Sequence, residues 1–175
     1  MKILYISQSV IPSKSANSVH VMKMCEALSK LNNQVDLFCW NNKRDTLKGI
    51  KNFFRFYAVN NNFNILRLSV ENFWIFREIV TILYIIYKIF SKKYDLVYSR
   101  SIQISWVLSI IGIKTILEIH SPPSAKTNYF LKRILRKGDL KFLIVINNAL
   151  KNYILENYKV HKYIEIIILP DAADD

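Results

Sequence analysis

The sequence predicts an α/β fold, a Rossmann-like parallel sheet of about seven strands with helices on both faces. Short apolar segments alternate along the whole chain with longer segments whose apolar residues recur at helical spacing. The short segments are almost continuously apolar, which is typical of parallel strands buried on both faces. With 175 residues, no internal repeat and no low-complexity linker, the chain is long enough for one domain with a substantial core.

The first predicted strand and helix lie within residues 2–31. The apolar run at residues 3–6 predicts a strand, and a loop without glycine follows at residues 11–17. Ser18 has the side chain of a good helix N-cap, and apolar residues at helical spacing continue from there to Leu31. Because a helix N-terminus attracts anions, we expect this loop to be a natural place for a phosphate.

The next segments predict a second strand and a less regular third one. Residues 34–40 are apolar enough for a buried strand. Residues 53–59 and 65–68 predict either one irregular third strand or two short strands. An asparagine-rich turn at residues 60–64 separates them.

Residues 73–90 form the most hydrophobic segment of the chain. The segment is almost as long as the roughly 20 residues of a membrane-spanning helix. However, Arg77, Glu78 and Lys88 interrupt the apolar run, and two lysines follow it. The segment therefore predicts a crossover helix packed against the sheet. The alternative is a helix that lies in the headgroup region of an anionic membrane, with residues 73–93 as the contact.

The second half of the chain predicts a regular alternation of strands and helices. Four further strands are expected at residues 95–100, 114–119, 140–146 and 163–169. Three helices are expected between them, at residues 102–111, at residues 125–137 and after Asn147 as N-cap. Gly112 and Gly138 directly follow two of these helices, where a left-handed residue is favoured, and Pro170 ends the last strand.

Composition excludes several classes of protein. Of the three glycines none lies in the first loop, which excludes the usual dinucleotide-binding fingerprint and the phosphate-cradling P-loop.

Cys25 and Cys39 form no C-x-x-C pair and no signal peptide precedes the first strand, so we expect a reducing, cytoplasmic setting. The three histidines have no metal-ligand spacing, so no metal is expected. The net charge of +12 favours polyanionic partners.

Polar residues follow several of the predicted strands. Ser13 to Ser18 come after the first strand, Ser99 and Arg100 after the fourth, His120 and Ser121 after the fifth, and Asn147 after the sixth. In an open parallel sheet, ligands bind outside the carboxyl ends of the strands. These residues therefore nominate a binding cleft.

Eight different short motifs follow one another along the chain. They lie at residues 12–18, 20–22, 27–28, 34–38, 95–100, 118–120, 146–150 and 169–174. Together they resemble the N-terminal domain of a GT-B glycosyltransferase and are most similar to the retaining enzymes of family 4. The last motif is similar to the P-[ND]-G-[VA]-D segment that leads into the second domain of those enzymes. The resemblance covers the whole chain. It implies an acceptor-side domain at residues 1–170 and the start of an interdomain linker at residues 171–175.

The resemblance implies transfer of a sugar from a nucleotide-sugar to a cell-surface glycan or lipid-linked acceptor, with retention of the anomeric configuration and without a cofactor. It places His120 beside the reacting sugar as the catalytic-site residue. The residues that it implies for acceptor or donor-phosphate binding are Ser15, Ala16, Asn17, Ser18, His20 and Arg100. Such an enzyme would serve polysaccharide synthesis for the cell envelope, in the cytoplasm or at the inner face of the cytoplasmic membrane.

The residues themselves leave alternatives open. His120 can instead be a strand-end histidine bonded to a backbone carbonyl, and Arg100 a structural arginine. The paired glutamates and the nucleotide-contacting basic residue of the family belong to a C-terminal domain that is absent here, so we expect the chain alone to be inactive. A second interpretation is a non-catalytic acceptor-recruiting or scaffold subunit of a split enzyme. A third is a basic nucleic-acid-binding domain, although no recognised motif accompanies the basic residues at 132–141 and no specific nucleic-acid partner is expected.

Overall fold

A computed structural model describes residues 1–41, 47, 49–69 and 76–170. In these ranges the chain forms seven strands and six helices. In order they are β1 (Lys2–Val10), α1 (Ala16–Lys30), β2 (Gln34–Asn41), α2 (Phe53–Phe56), β3 (Asn64–Ser69), α3 (Arg77–Lys92), β4 (Leu96–Ser99), α4 (Ile102–Ile110), β5 (Thr115–Ile119), α5 (Ala125–Lys137), β6 (Leu140–Val145), α6 (Asn148–Asn157) and β7 (Glu165–Ile168). The strands form a seven-stranded parallel sheet with helices, which confirms the predicted Rossmann-like α/β fold.

The chain divides into two compact units, Met1–Leu96 and Val97–Asp175. In the first unit the strand order is β3-β2-β1, and every pair is parallel. Helix α1 packs on β1 and β2. The largest fully buried side chains of this unit come from β1, β2, the helices α1 and α3, and the residue after β1: Ile3, Leu4, Tyr5, Ile6, Ile11, Met22, Leu37, Phe38 and Ile85. These elements hold the core of the first unit.

The second unit contains the order β4-β5-β6-β7, again parallel throughout. Helix α4 packs on β5 and α5, and helix α6 packs on β6 and β7. The apolar faces of α5 and α6 meet the strands in one cluster that includes Leu117, Leu131, Ile134, Leu135, Leu143, Val145 and Ile154. The register leaves the carboxyl ends of β4, β5 and β6 at one edge of the sheet.

The predicted helix ends of the second unit are confirmed by their caps. Gly112 follows α4 with φ +78°, and Gly138 follows α5 with φ +77°, both in the left-handed region that glycine adopts without a steric penalty. Asn147 precedes α6, and its side-chain oxygen accepts a hydrogen bond from the backbone N–H of Leu150 at 2.8 Å. Local chemistry therefore sets where these helices begin and end.

The prediction that Ser18 caps the first helix was wrong. The helix begins at Ala16, and Ser15 is the N-cap, with extended backbone and a side chain that accepts from the Ser18 N–H at 3.2 Å. Ser18 lies in the first turn, where its hydroxyl donates to the carbonyl oxygens of Ser13 and Ser15, each at 2.8 Å. Two serines three residues apart both fit the N-cap pattern. Ser15 is the cap because its side chain accepts the hydrogen bond of the Ser18 backbone N–H.

Residues 53–59 do not form a strand, as the sequence had allowed. Phe53–Phe56 is a single helical turn because the Asn52 side chain accepts from the Arg55 N–H at 3.0 Å and caps it. The Phe54 ring also packs edge-on against Phe63, with ring centroids 5.1 Å apart. The cap and this contact override the strand preference of the aromatic residues. The third strand is β3 alone.

The hydrophobic segment predicted at residues 73–90 is a helix from Arg77 to Lys92 in the part that the structure describes. Residues 73–75 of that prediction, and the predicted linker at 171–175, lie outside the described residues. Among the described helices, none combines the length and the apolar character that crossing a membrane requires.

Candidate functional site

Three polar side chains follow neighbouring parallel strands of the second unit. Arg100 comes directly after β4, His120 directly after β5, and Asn147 two residues after β6. Since these strands pair in parallel, their carboxyl ends share one edge of the sheet. The structure therefore brings together within this unit the predicted residues Arg100 and His120.

A buried carboxylate connects these residues. Glu118 lies on β5 with 3% of its side chain exposed, and its Oε1 is 3.2 Å from Arg100 Nε. The Tyr98 hydroxyl donates to the other carboxylate oxygen at 2.5 Å. His120 Nε2 contacts Glu118 Oε1, and Arg100 Nη2 lies 2.5 Å from the same ring nitrogen. Arg100 thus forms an ion pair inside the protein, with only 9% of its side chain exposed.

This arrangement fixes the position of the His120 ring. An Nε2 without hydrogen can accept from Arg100, whereas an Nε2 that carries hydrogen can donate to Glu118, so the ring has a partner in either tautomer. The His120 side chain remains 26% exposed. A ring that is anchored on one side and accessible on the other is suited to contact a ligand.

A pocket of about 260 Å³ lies beside His120. One side is formed by the segment after β5, namely His120, Ser121 and Pro122. The other side is formed by the start of α6, with Asn147, Ala149, Leu150 and Tyr153. Drug-sized ligands occupy pockets of about 300–1,000 Å³. The volume of this pocket lies below that range, and its lining is mostly apolar.

The α6 side of the pocket is held in place from behind. Leu150 is buried, and the Tyr153 ring lies 6.2 Å from that of Tyr158, centroid to centroid. The Tyr158 hydroxyl donates to Asn128 Oδ1 at 2.7 Å, which joins α6 to α5. Burial, together with the hydrogen bond to Tyr153, raises the pKa of Tyr158 to about 12. This phenol is therefore neutral, and its support for the pocket wall does not change with pH in the physiological range.

The predicted loop residues of the first unit form the start of α1. Ser15 is the N-cap, and Asn17 uses its side-chain amide to donate to Ser9 Oγ at 2.6 Å. The hydroxyl of Tyr57 donates to the Ser13 carbonyl at 2.8 Å and accepts from the Ser13 N–H at 2.6 Å, so α2 fixes the loop. Ala16 and Asn17 are exposed in the first turn, where a helix leaves N–H groups without an intrahelical acceptor.

Ser18 and His20 are less accessible than the rest of this loop. Ser18 is fully buried, and its hydroxyl and N–H both take part in the cap. His20 is partly buried on α1, and its two ring nitrogens are shielded from solvent. Of the predicted residues within α1, Ala16 and Asn17 are therefore the exposed ones.

Sequence reasoning did not identify Glu118, Tyr98 or Tyr153 as site residues. A signal for Glu118 was available, because residues two apart on a strand share a face, and a carboxylate within an apolar strand needs a partner. Tyr98 and Tyr153 carry no such signal. Their roles depend on strand pairing and helix packing, which a single sequence does not specify.

Comparisons with known proteins bear on this fold. No protein-family model matches the chain, and no curated protein sequence matches it. Two solved structures of sucrose-phosphate synthase from Thermosynechococcus elongatus are similar at 14% identity, with TM-scores of 0.67 and 0.64. The two matches cover 99% and 97% of this chain. They cover 91% and 47% of the two synthase chains, in the same order. The Anabaena protein HepE, solved in complex with UDP and glucose, is similar at 13% identity with a TM-score of 0.58.

The fold is that of one half of a GT-B glycosyltransferase. The match to HepE covers 96% of this chain but 44% of that one, so this GT-B-like domain spans about half the length of such proteins. At these identities the likeness establishes the fold alone. The chemistry depends on the residues described above.

Proposed function

We propose that this chain is the acceptor-side domain of a glycosyltransferase that moves a sugar from a nucleotide-sugar to a glycan or lipid-linked acceptor with retention. The observation that carries the proposal is the anchored His120 beside a small pocket, at the carboxyl edge of a GT-B-like sheet. In parallel α/β sheets this edge is where ligands bind. The structural neighbour HepE, solved with UDP and glucose, supports the choice of a sugar nucleotide.

The pocket has the chemistry that a single sugar unit requires. Sugar hydroxyls need hydrogen-bonding partners, which the His120 ring and the Ser121 hydroxyl can supply. The C–H face of a sugar ring is apolar and can pack on the Tyr153 ring and on Ala149. We assign His120 to a sugar hydroxyl near the reacting centre.

Arg100 acts in this proposal as a positioning residue, not as a phosphate ligand. Its guanidinium is engaged by Glu118 and His120, and its side chain is nine-tenths buried. A phosphate would have to compete with that ion pair. The exposed N–H groups of Ala16 and Asn17 at the positive end of α1 are better suited to a phosphate oxygen.

Equilibrium binding to the 175-residue chain tests the proposal. Saturation-transfer NMR and calorimetry would be run with a panel of methyl glycosides and nucleotide-sugars. We expect at least one to bind, and His120→Ala to weaken binding about tenfold because a hydrogen bond is lost from the pocket. His161→Ala, which changes a histidine that does not line the pocket, is the matched control and should bind as the unchanged chain does.

The same panel bears on the two forms of the proposal. Binding of both nucleotide-sugars and glycosides supports a transferase domain over a non-catalytic acceptor-recruiting subunit. Binding of glycosides alone supports an acceptor-binding role and fits both forms, because the resemblance places the nucleotide-contacting residue in a C-terminal domain. If neither class binds, or if His120→Ala binds as tightly as the unchanged chain, the assignment of this pocket to a sugar is wrong.

A further inference from the structure

Helix α3 has an apolar face that nothing in the described chain covers. Thr81, Ile85 and Ile89 are the buried residues of this helix. On the opposite side five large apolar side chains are exposed, namely Phe76 (57%), Ile79 (56%), Leu83 (61%), Tyr87 (64%) and Phe90 (66%). Spacings of three and four residues place them in one line along the helix. We call these five residues the α3 stripe.

The α3 stripe is unusual for a protein surface. Single exposed apolar residues are common, but a continuous apolar surface marks a place of interaction. At a rise of about 1.5 Å per residue, Phe76 and Phe90 lie about 21 Å apart along the helix. The exposed surface is therefore a long narrow ridge. Such a shape suits a helix that lies along a surface more than a compact plug that fills a socket.

The charges beside the stripe are almost all positive. Arg77, Lys88 and Lys93 stand against a single acidic residue of the helix, Glu78, whereas Lys92 is paired with the buried Asp36 at 2.8 Å. Glu78 already pairs with Arg77 at 3.3 Å and accepts from Gln8 at 2.8 Å. Lys88 Nζ lies 5.6 Å from the centre of the Tyr87 ring, so an ammonium group borders the stripe itself. The rim of the stripe therefore favours an anionic partner.

We propose that α3 docks on an anionic lipid surface, with the stripe inserted at the boundary between headgroups and acyl chains. Long basic side chains beside an apolar face are the arrangement that interfacial helices use, because the stems pack on apolar surface while the charges reach the phosphates. Tyr87, with an apolar ring and a polar hydroxyl, suits the same depth. The helix lies on the membrane and does not cross it. This inference does not depend on the sugar-binding proposal.

Vesicle flotation of the whole chain tests this docking. We expect the protein to float with vesicles of phosphatidylcholine that contain about one-third phosphatidylglycerol, and to be released as salt screens the basic rim. Leu83→Gln with Phe90→Gln should lower binding about tenfold or more, because two apolar side chains no longer enter the lipid. Lys88→Gln should weaken binding to anionic vesicles and leave the weak binding to pure phosphatidylcholine unchanged.

The matched control is Leu31→Gln with Leu155→Gln, which changes two leucines of similar exposure away from α3. The control should float as the unchanged chain does, and circular dichroism should be the same for all variants. No flotation of the unchanged chain at low salt would overturn the proposal, as would equal binding by the Leu83→Gln, Phe90→Gln variant. So would a concentration-dependent dimer in sedimentation that this same variant abolishes, because the stripe would then be an interface between two copies.

Discussion

Glu118 is the residue on which the geometry of the His120 pocket depends. It accepts from Tyr98, pairs with Arg100 and contacts His120, all within a site where its own side chain is 3% exposed. A buried carboxylate with three partners is fixed in position, and so are the groups that it holds. The accessible part of the His120 ring is thereby kept at the edge of the pocket.

Glu118→Gln should destabilise the chain by about 3–5 kcal/mol. The substitution removes the negative charge that compensates Arg100, whose side chain is nine-tenths buried. Urea unfolding followed by circular dichroism measures the change. Glu165→Gln, at an exposed glutamate on β7, should change stability by less than about 0.5 kcal/mol. Equal stability of the two variants would mean that the ion pair contributes nothing.

The double variant Arg100→Met with Glu118→Leu removes both charges of the ion pair. It tests whether a single change destabilises the chain because it leaves the other charge uncompensated. Replacing both charges by apolar groups removes the uncompensated charge that each single change leaves. We expect the double variant to be more stable than Glu118→Gln by about 1–3 kcal/mol. Its pocket should nevertheless lose sugar affinity, because His120 is no longer anchored. Unchanged affinity in a folded double variant would show that Arg100 and Glu118 do not position His120.

At the residue scale, the sequence predicted which residues lie at the edge of the sheet better than it predicted which side chains they contact. Arg100, His120 and Asn147 could be predicted as edge residues because each follows an apolar strand segment. The N-cap was misplaced from Ser15 to Ser18 because both serines fit the local pattern. The contact between Arg100 and Glu118 requires the pairing of β4 with β5, which a pattern along one chain does not give.

Helix α5 ends at Gly138 because the chain needs a left-handed residue there and because no side chain fits. A Cβ at this position would lie 2.9 Å from Nδ1 of His161. Gly112 at the end of α4 has almost the same φ, +78° against +77°, but a Cβ there would meet nothing within 4 Å. A side chain at either position would meet the strain of left-handed backbone. Only at Gly138 would it also meet a steric contact.

Gly138→Ala should therefore destabilise the chain more than Gly112→Ala. Left-handed backbone costs an alanine about 1–2 kcal/mol at either position. The contact with His161 adds to this at Gly138 alone, and Gly138→Ala with His161→Ala should recover that additional part. Thermal unfolding of these three variants and of His161→Ala alone provides the values. A loss at Gly112 as large as that at Gly138 would contradict the account.

Asp36 connects three elements of the first unit. Its side chain on β2 accepts hydrogen bonds from Asn64 on β3, from Lys92 at the end of α3, and from Tyr94. Burial alone would raise the pKa of Asp36, but these hydrogen bonds together hold the pKa below its ordinary value. The charged form is therefore favoured by folding.

The first unit should lose stability in acid through Asp36. A carboxyl group with a lowered pKa in the folded state stabilises the protein above its unfolded pKa of about 3.9, and this contribution is lost as the pH falls through the folded pKa. Asp36→Asn should cost about 2 kcal/mol at pH 7 and flatten the decline of stability below pH 4. Urea unfolding between pH 2 and pH 7 measures both. The exposed Asp95→Asn is the control, and an unchanged acid slope in Asp36→Asn would contradict the assignment.

At the element scale, periodicity predicted nearly every strand and helix, with shifts of a few residues at their ends. Strand β1 extends to Val10, beyond the predicted run at residues 3–6, since Ser7 and Ser9 are buried and their hydroxyls pair with each other at 2.7 Å. The turn at Phe53–Phe56 could not be predicted from hydrophobicity. It depends on the Asn52 cap and on a tertiary contact with Phe63.

The whole molecule is a GT-B-like domain with 14% identity or less to the structural neighbours described above. The fold could be predicted because apolar strand segments alternate with amphipathic helices along the chain. The net charge of +12 favours anionic partners in general, and the α3 stripe gives that charge a specific place to act.

Both cysteines should resist alkylation until the first unit unfolds. Cys25 and Cys39 are fully buried, and burial raises the pKa of the Cys39 thiol to about 12. At pH 8 this lowers its thiolate fraction about a thousandfold relative to a free thiol, so Cys39 should be inert. Iodoacetamide labelling followed by mass spectrometry, with and without urea, measures the protection. Rapid labelling of either cysteine without denaturant would mean that the first unit is open.

The central claim, a sugar-binding pocket beside His120, is tested most directly by NMR of the chain with ¹³C-labelled histidine. The three ring signals are assigned with single histidine variants, and a glycoside or nucleotide-sugar that binds is then titrated in. We expect the His120 signals to move saturably, since its ring lines the pocket, and those of His161 to stay in place. Saturable binding that leaves the His120 signals unmoved would contradict the claim.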